Sequence, residues 1–110
     1  MASDKAYLSF ILEQLSALEE ISWREMMGEY ILYYRGRVLG GIYDDRFLVK
    51  PTPSALALLP EAAREPPYPG AKPLLLVDRV EDRDFLRTLL EAMADELPAG
   101  GKRRREKTAI

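Results

Sequence analysis

Residues Gly28 to Lys50 read GEYILYYRGRVLGGIYDDRFLVK. β-Branched and aromatic residues dominate the stretch, and two short polar pairs punctuate it. Tyr30 to Tyr34 has the propensity of a strand, Arg35-Gly36 that of a turn, and Val38 to Tyr43 that of a second strand. Asp44-Asp45 supplies the next turn, because Asp tolerates left-handed backbone, and Arg46 to Lys50 closes the series. Upstream, Ser22 to Met27 reads as a further strand that ends or bulges at Gly28. Simple alternation puts Val38, Gly40 and Ile42 on one face of the middle strand, with Leu39, Gly41 and Tyr43 on the other. The paired glycines imply a close approach to the backbone or a bend, and packing of the first helix over them is the leading account.

Helices flank this meander. Leu8, Ile11, Leu12, Leu15 and Leu18 form one apolar stripe on a helix of about residues 4–19, with Ser3 as its cap and Glu13, Gln14 and Ser16 on the polar side. Pro53 to Leu59 reads as a short helix stopped by Pro60. Residues 61–70 read as a loop, and Leu74 to Val77 as a short buried strand. Phe85, Leu86, Leu89, Leu90, Met93 and Leu97 stripe a last helix that begins at Asp78 or Asp82. The expectation is an α+β, two-layer domain over residues 1–98, an antiparallel sheet with helices on one face, followed by a basic tail over 99–110.

Composition bounds the chemistry. The 110 residues include no cysteine and no histidine, which excludes disulfides, a thiol nucleophile, an imidazole base and zinc sites built on nitrogen or sulfur. Residues 101–110 carry five basic side chains against Glu106, so an overall charge of −2 leaves the first hundred residues at −6. An acidic body does not attract a phosphate backbone unless its charge is segregated. No apolar run approaches the roughly 20 residues of a bilayer span, and the N-terminus lacks a signal-peptide pattern, so a cytoplasmic protein without membrane contact is expected. No pair of groups has a spacing that suggests coupled acid–base work, and the expectation is a non-enzymatic protein without cofactor or metal.

Arg24-Glu25-Met26-Met27-Gly28-Glu29-Tyr30, then Leu32-Tyr33, the Arg35-Gly36 turn, Gly41-Ile42-Tyr43-Asp44-Asp45 and Phe47-Leu48-Val49-Lys50, resemble the N-terminal domain of TfoX/Sxy competence regulators. The resemblance spans about residues 5–97. It implies the order α-β(3)-α-β(2)-α, similar to secretion-chaperone-like domains, with the Met26-Gly28 region merging into the next strand. It also implies a role in transcriptional or competence-type regulation, where family members act together with the cyclic-AMP receptor protein on DNA-uptake genes. The longer regulators have a second, helical C-terminal domain; here Gly100 is followed by ten residues.

If one layer of helices covers one sheet face, the other face meets solvent, a protein partner or a second copy. A protein-interaction module is therefore expected, with a homodimer and the transcription machinery as its expected partners. Arg24, Glu29, Tyr30, Tyr33, Tyr43, Arg46, Lys50 and Lys72 are the candidate contact residues. The tyrosines have two readings, a pleated-surface cover and a hot-spot patch. Arg46, Leu48 and Lys50 share a strand face, where their charge either selects an acidic partner or protects an edge. Asp44 and Asp45 read first as turn residues and second, with Glu29, as a divalent-ion site. Lys102, Arg103, Arg104 and Arg105 are candidate phosphate contacts, and weak, salt-sensitive nucleic-acid binding through them is the alternative function.

Overall fold

The computed structural model describes residues 3–98. Its sheet is a meander closed by three two-residue turns. β1 (Ile21–Met26), β2 (Glu29–Tyr34), β3 (Arg37–Tyr43) and β4 (Arg46–Val49) follow one another in chain and in space. Each intervening pair has positive φ at both positions: Met27 (55°) and Gly28 (84°), Arg35 (55°) and Gly36 (78°), Asp44 (54°) and Asp45 (57°). Two successive left-handed residues give a type I′ turn, whose twist matches that of the strands it joins. The Met27-Gly28 turn separates β1 from β2. Four strands therefore precede the second helix, where the resemblance implied three.

The sheet continues across β4 to β6 (Leu74–Leu76) and then β5 (Arg64–Glu65), all pairs antiparallel. β5 falls in a segment expected to be loop. Two residues carry no periodicity, and only pairing with β6 makes them a strand.

Three helices lie on one side. α1 (Lys5–Gln14), α2 (Pro53–Leu58) and α3 (Arg83–Met93) bury Leu8, Ile11, Ala55, Leu86, Leu89, Leu90 and Met93 in a single core. The sheet residues in that core are Tyr30, Leu32, Tyr34, Leu39, Ile42, Phe47, Val49 and Leu75, joined by Val77 just past β6. Two layers with helices on one face are thus the observed architecture, as the patterns of the sequence led one to expect.

Caps define the helix ends. Asp4, rather than Ser3, caps α1 by accepting from the Ala6 N–H at 2.9 Å. Thr52 caps α2 and Asp82 caps α3, each accepting an amide N–H three residues on. α1 stops at Gln14, and bonds of i to i+3 type carry the chain on: Ser16 N–H to the Glu13 carbonyl, and Leu18 N–H to that of Leu15. The stripe still holds, since Leu15 and Leu18 remain buried past the helix end. Gln14, expected on the polar side, is buried. Its amide donates to the Val80 carbonyl and accepts from Arg83 Nε, tying α1 to the start of α3. At the other end of α3, Arg37 of β3 donates to the Leu97 carbonyl at 3.2 Å, where a cation meets the negative helix terminus.

β3 departs from simple alternation. Leu32 pairs with Gly40 and Tyr33 with Val38, which leaves Leu39 as an extra residue. This bulge turns both Leu39 and Ile42 to the helices and puts Val38, Gly41 and Tyr43 on the opposite face. Gly40 has φ 156°, and a Cβ there would stand 2.7 Å from the Val49 Cα and collide with the Leu48 carbonyl. A Cβ at Gly41 would meet the Tyr30 carbonyl and, at 2.7 Å, the ring of Tyr43. Neighbouring strands and one aromatic ring, not α1, exclude side chains from this pair.

Gly40→Ala should therefore cost about 3 kcal/mol or more in urea unfolding. Gly36→Ala, where nothing lies within 4 Å but φ is 78°, should cost about 1 kcal/mol. Equal losses would contradict the bulge argument. Glu96 accepts from the Ser54 N–H at 2.9 Å and its Oγ–H at 2.6 Å, and these bonds hold its carboxyl below the ordinary 4.5. A depressed carboxylate stabilises the fold above the ordinary value, and that contribution is lost as pH falls through the lowered one. Glu96→Gln should lower Tm at neutral pH, with the difference from the parent shrinking as pH falls through the lowered carboxyl value. A difference independent of pH would contradict this.

Candidate functional site

The sheet face turned away from the helices is apolar through its middle and polar toward β1 and the β3–β4 turn. Register places Ile31 and Tyr33 of β2 with Gly41, Val38 and Tyr43 of β3, and continues to Arg46 and Leu48 of β4 and to Leu74 and Leu76 of β6. Most of these side chains are half-buried. Leu48 is fully buried yet stands outside the helical core. It lies directly across from Gly41, over which the Tyr43 ring folds. The glycine thus makes room for an aromatic lid on the open side. Burial pushes the Tyr43 phenol above the ordinary value of 10.0, and Tyr68, Glu29 and Tyr33 add to the shift. Three tyrosines therefore converge here, with Tyr68 the outermost at 61% exposed.

The candidate contact residues do not all share this face. Tyr33, Tyr43 and Arg46 lie on it, and Arg24 extends it onto β1, exposed. Arg46 is paired with Glu65 and donates from Nε to the Tyr43 carbonyl at 3.0 Å, so β5 is clipped to the β3–β4 turn. Such a part-exposed pair contributes about 1 kcal/mol at most. Lys50, one residue past β4, is half-buried, and Lys72 is exposed in the segment leading to β6. Tyr30 is a correction. It is 5% exposed and belongs to the helix-side core, with Trp23 edge-on at 5.7 Å. β2 alternates strictly, so Tyr30 and Tyr33 have opposite fates. Lys102, Arg103, Arg104 and Arg105 lie outside the described residues.

Glu29 shares the parity of Ile31 and Tyr33 and is half-buried, and its carboxylate is engaged at the strand ends. Its carboxylate accepts from Ser3 Oγ at 2.5 Å and from the Asp44 N–H at 3.2 Å. The Asp45 N–H donates to Ser3 Oγ at 3.0 Å, and the Asp4 N–H donates to Asp45 Oδ1 at 2.8 Å. The Asp44-Asp45 turn does come to Glu29, but the carboxylates of Glu29 and Asp45 are directed at main-chain amides and a hydroxyl. Among the described residues, no group of three or more acidic side chains could hold a metal ion. Sequence reasoning missed Ser3 as the hub. Its only signal was a small hydroxyl residue next to the Asp4 cap. Among the same residues, no helix is long and apolar enough to cross a membrane.

The residues Arg24 to Tyr30, which carry the family pattern, fall on β1, its turn and the start of β2. The model of the TfoX N-terminal domain matches residues 13–96, from the end of α1 to just past α3. The chain belongs to the TfoX N-terminal domain family. An uncharacterised 12.7 kDa protein encoded in the trpE 5′ region of Spirochaeta aurantia is 36% identical over 109 residues, covering 98% of this chain and 94% of the relative. No solved structure matches. In this TfoX-type domain the family segment therefore builds the free edge of the sheet, and the strand-end clasp behind it is structural.

Glu29→Ala should destabilise the domain by about 1–3 kcal/mol in urea unfolding, because the Asp44 N–H and Ser3 Oγ lose a charged acceptor. Glu29→Gln should recover part of the loss. An unchanged midpoint in both variants would contradict the clasp.

Proposed function

We propose that this TfoX-type domain is a non-enzymatic protein-interaction module, acting in transcriptional or competence-type regulation. One observation carries the reading: an apolar, tyrosine-rich sheet face left outside the helical core. Ile31, Tyr33, Val38, Leu74 and Leu76 on this face are each only partly covered. Tyrosine and arginine are the residue types that dominate interaction hot spots, and Tyr33, Tyr43, Arg24 and Arg46 supply both. A face of this kind binds through shape and edge polarity, which explains why so regular a meander needs no nucleophile or metal. Family membership supports the regulatory setting. The partner is a protein presenting an apolar strip rimmed by acidic groups, to meet Arg24, Lys50 and Lys72.

Affinity capture from the native cell tests this. Tyr33→Ala and Lys50→Glu should each deplete the captured partner at least about fivefold, equivalent to the ~1 kcal/mol expected of a contact residue. Gln14 lies on the helix side, and Gln14→Leu should leave capture unchanged. A partner retained equally by all variants would place the contact elsewhere.

A further inference from the structure

The two edges of the sheet are built differently. β5 has two residues, both charged, and leads directly into Pro66-Pro67, which offer no N–H to a neighbouring strand. β1 has six residues, pairs with β2 without a register shift and contains no proline. It carries Trp23, 42% exposed, and Met26, 48% exposed. Natural sheets blunt a free edge with shortness, charge, proline or a bulge. Among the described residues, β5 combines shortness, charge and proline, whereas β1 has only the charges of Arg24 and Glu25 and pairs with no strand on its outer side.

The direction of the β1 backbone groups follows from its hairpin. Met26 and Glu29 flank a two-residue turn and so form a hydrogen-bonded pair. At the other end, the Glu20 carbonyl accepts from the Arg35 N–H at 3.0 Å. Even-numbered residues therefore point their backbone groups at β2. Ile21, Trp23 and Glu25 point theirs outward.

We propose that a second copy of this chain pairs with β1 along this edge, antiparallel, with the two-fold axis at Trp23. Only registers that set odd residues opposite odd ones bring outward groups together. Centring on Trp23 sets it against its own copy and Ile21 against Glu25 of the partner subunit on both sides, for about six hydrogen bonds. Arg24 then faces Ser22 of the partner subunit. Centring on Arg24 instead would bring two guanidinium groups directly opposite, on Cα atoms about 4.5 Å apart, and leave about four bonds. Centring on Glu25 would oppose two carboxylates and run into the left-handed Met27. Centring on Ser22 would pair only Ile21 with Trp23, again about four bonds, so the Trp23 register makes the most hydrogen bonds and opposes no like charges. The occupant is a second copy because the two-fold arrangement closes. It joins two six-stranded sheets into one whose outer ends are both the blunted β5. A foreign strand would leave its own far edge unpaired. The inference does not depend on the interaction reading above, although pairing would make the two open faces continuous.

The full chain should sediment as a dimer at about 100 μM, well above a micromolar Kd. Glu25→Pro removes an outward N–H while sparing the β1–β2 bonds. It should weaken association at least about tenfold, with far-UV circular dichroism unchanged. The chain has no cysteine, so single thiols report register. Trp23→Cys should form a covalent dimer under mild oxidation, because hydrogen-bonded pairs hold their Cα atoms about 5.5 Å apart. Glu25→Cys should not link to itself, but should link to Ile21→Cys when the two are mixed. A monomer at that concentration would overturn the proposal. So would a dimer that resists Glu25→Pro and fails to cross-link at position 23, which would place the contact on the open face. A dimer abolished by deleting residues 99–110 would also overturn it. If Glu25→Pro does not fold, the cysteine pairs decide alone.

Discussion

No side chain fits at position 40. The β4 backbone passes Gly40 so closely that a Cβ would collide with the Leu48 carbonyl, and much of the structure follows from this contact. The close passage accompanies the bulge that makes Leu39 supernumerary. A shift of one residue exchanges the faces of a strand, so the bulge lets β3 serve the core twice, through Leu39 and Ile42. It also delivers Val38 and Tyr43 to the other side. Gly41 completes the arrangement, since the Tyr43 ring occupies the volume its side chain would have taken. The open face owes its aromatic character to these two glycines as much as to its tyrosines.

A second constraint fixes the end of the meander. Ser3, Glu29 and the Asp44-Asp45 turn are remote in sequence and joined by direct hydrogen bonds. Ser3 also donates its N–H to the Gly28 carbonyl at 3.0 Å. Ser3 thereby binds the first and third turns of the meander. Buried polar groups stabilise only when satisfied, and here amides, hydroxyl and carboxylates answer one another.

Much of this was legible in the residues. The apolar stripes of α1 and α3 and the turn pairs at Arg35-Gly36 and Asp44-Asp45 were read from periodicity and backbone preference, and the structure has them. Ser22–Met27 read as a strand on its own residues, while the family pattern argued for merging it; the Met27-Gly28 turn settles the matter for separation. The bulge was illegible because alternation assumes an unbroken ladder, and only the partner strand exposes the extra residue. Gln14, read as solvated, and Ser3, read as a helix cap, were misplaced for a related reason. Their roles show only with their tertiary partners, and Val80, Arg83, Glu29 and Asp45 are all distant in sequence. For the candidate site, strict alternation in β2 contained the answer for Tyr30 and Tyr33. What it lacked was the choice of which parity faces the helices.

The three two-residue turns bear on how the domain assembles. Closing a short loop costs little chain entropy, so β1 through β4 can zip one hairpin at a time from neighbouring segments. The remaining sheet cannot form that way. β6 pairs with β4 across a much longer span of chain, Leu48 lying opposite Leu76. The seam between β4 and β6 is thus the least local pairing of the sheet, where neighbour-to-neighbour order gives way to topology.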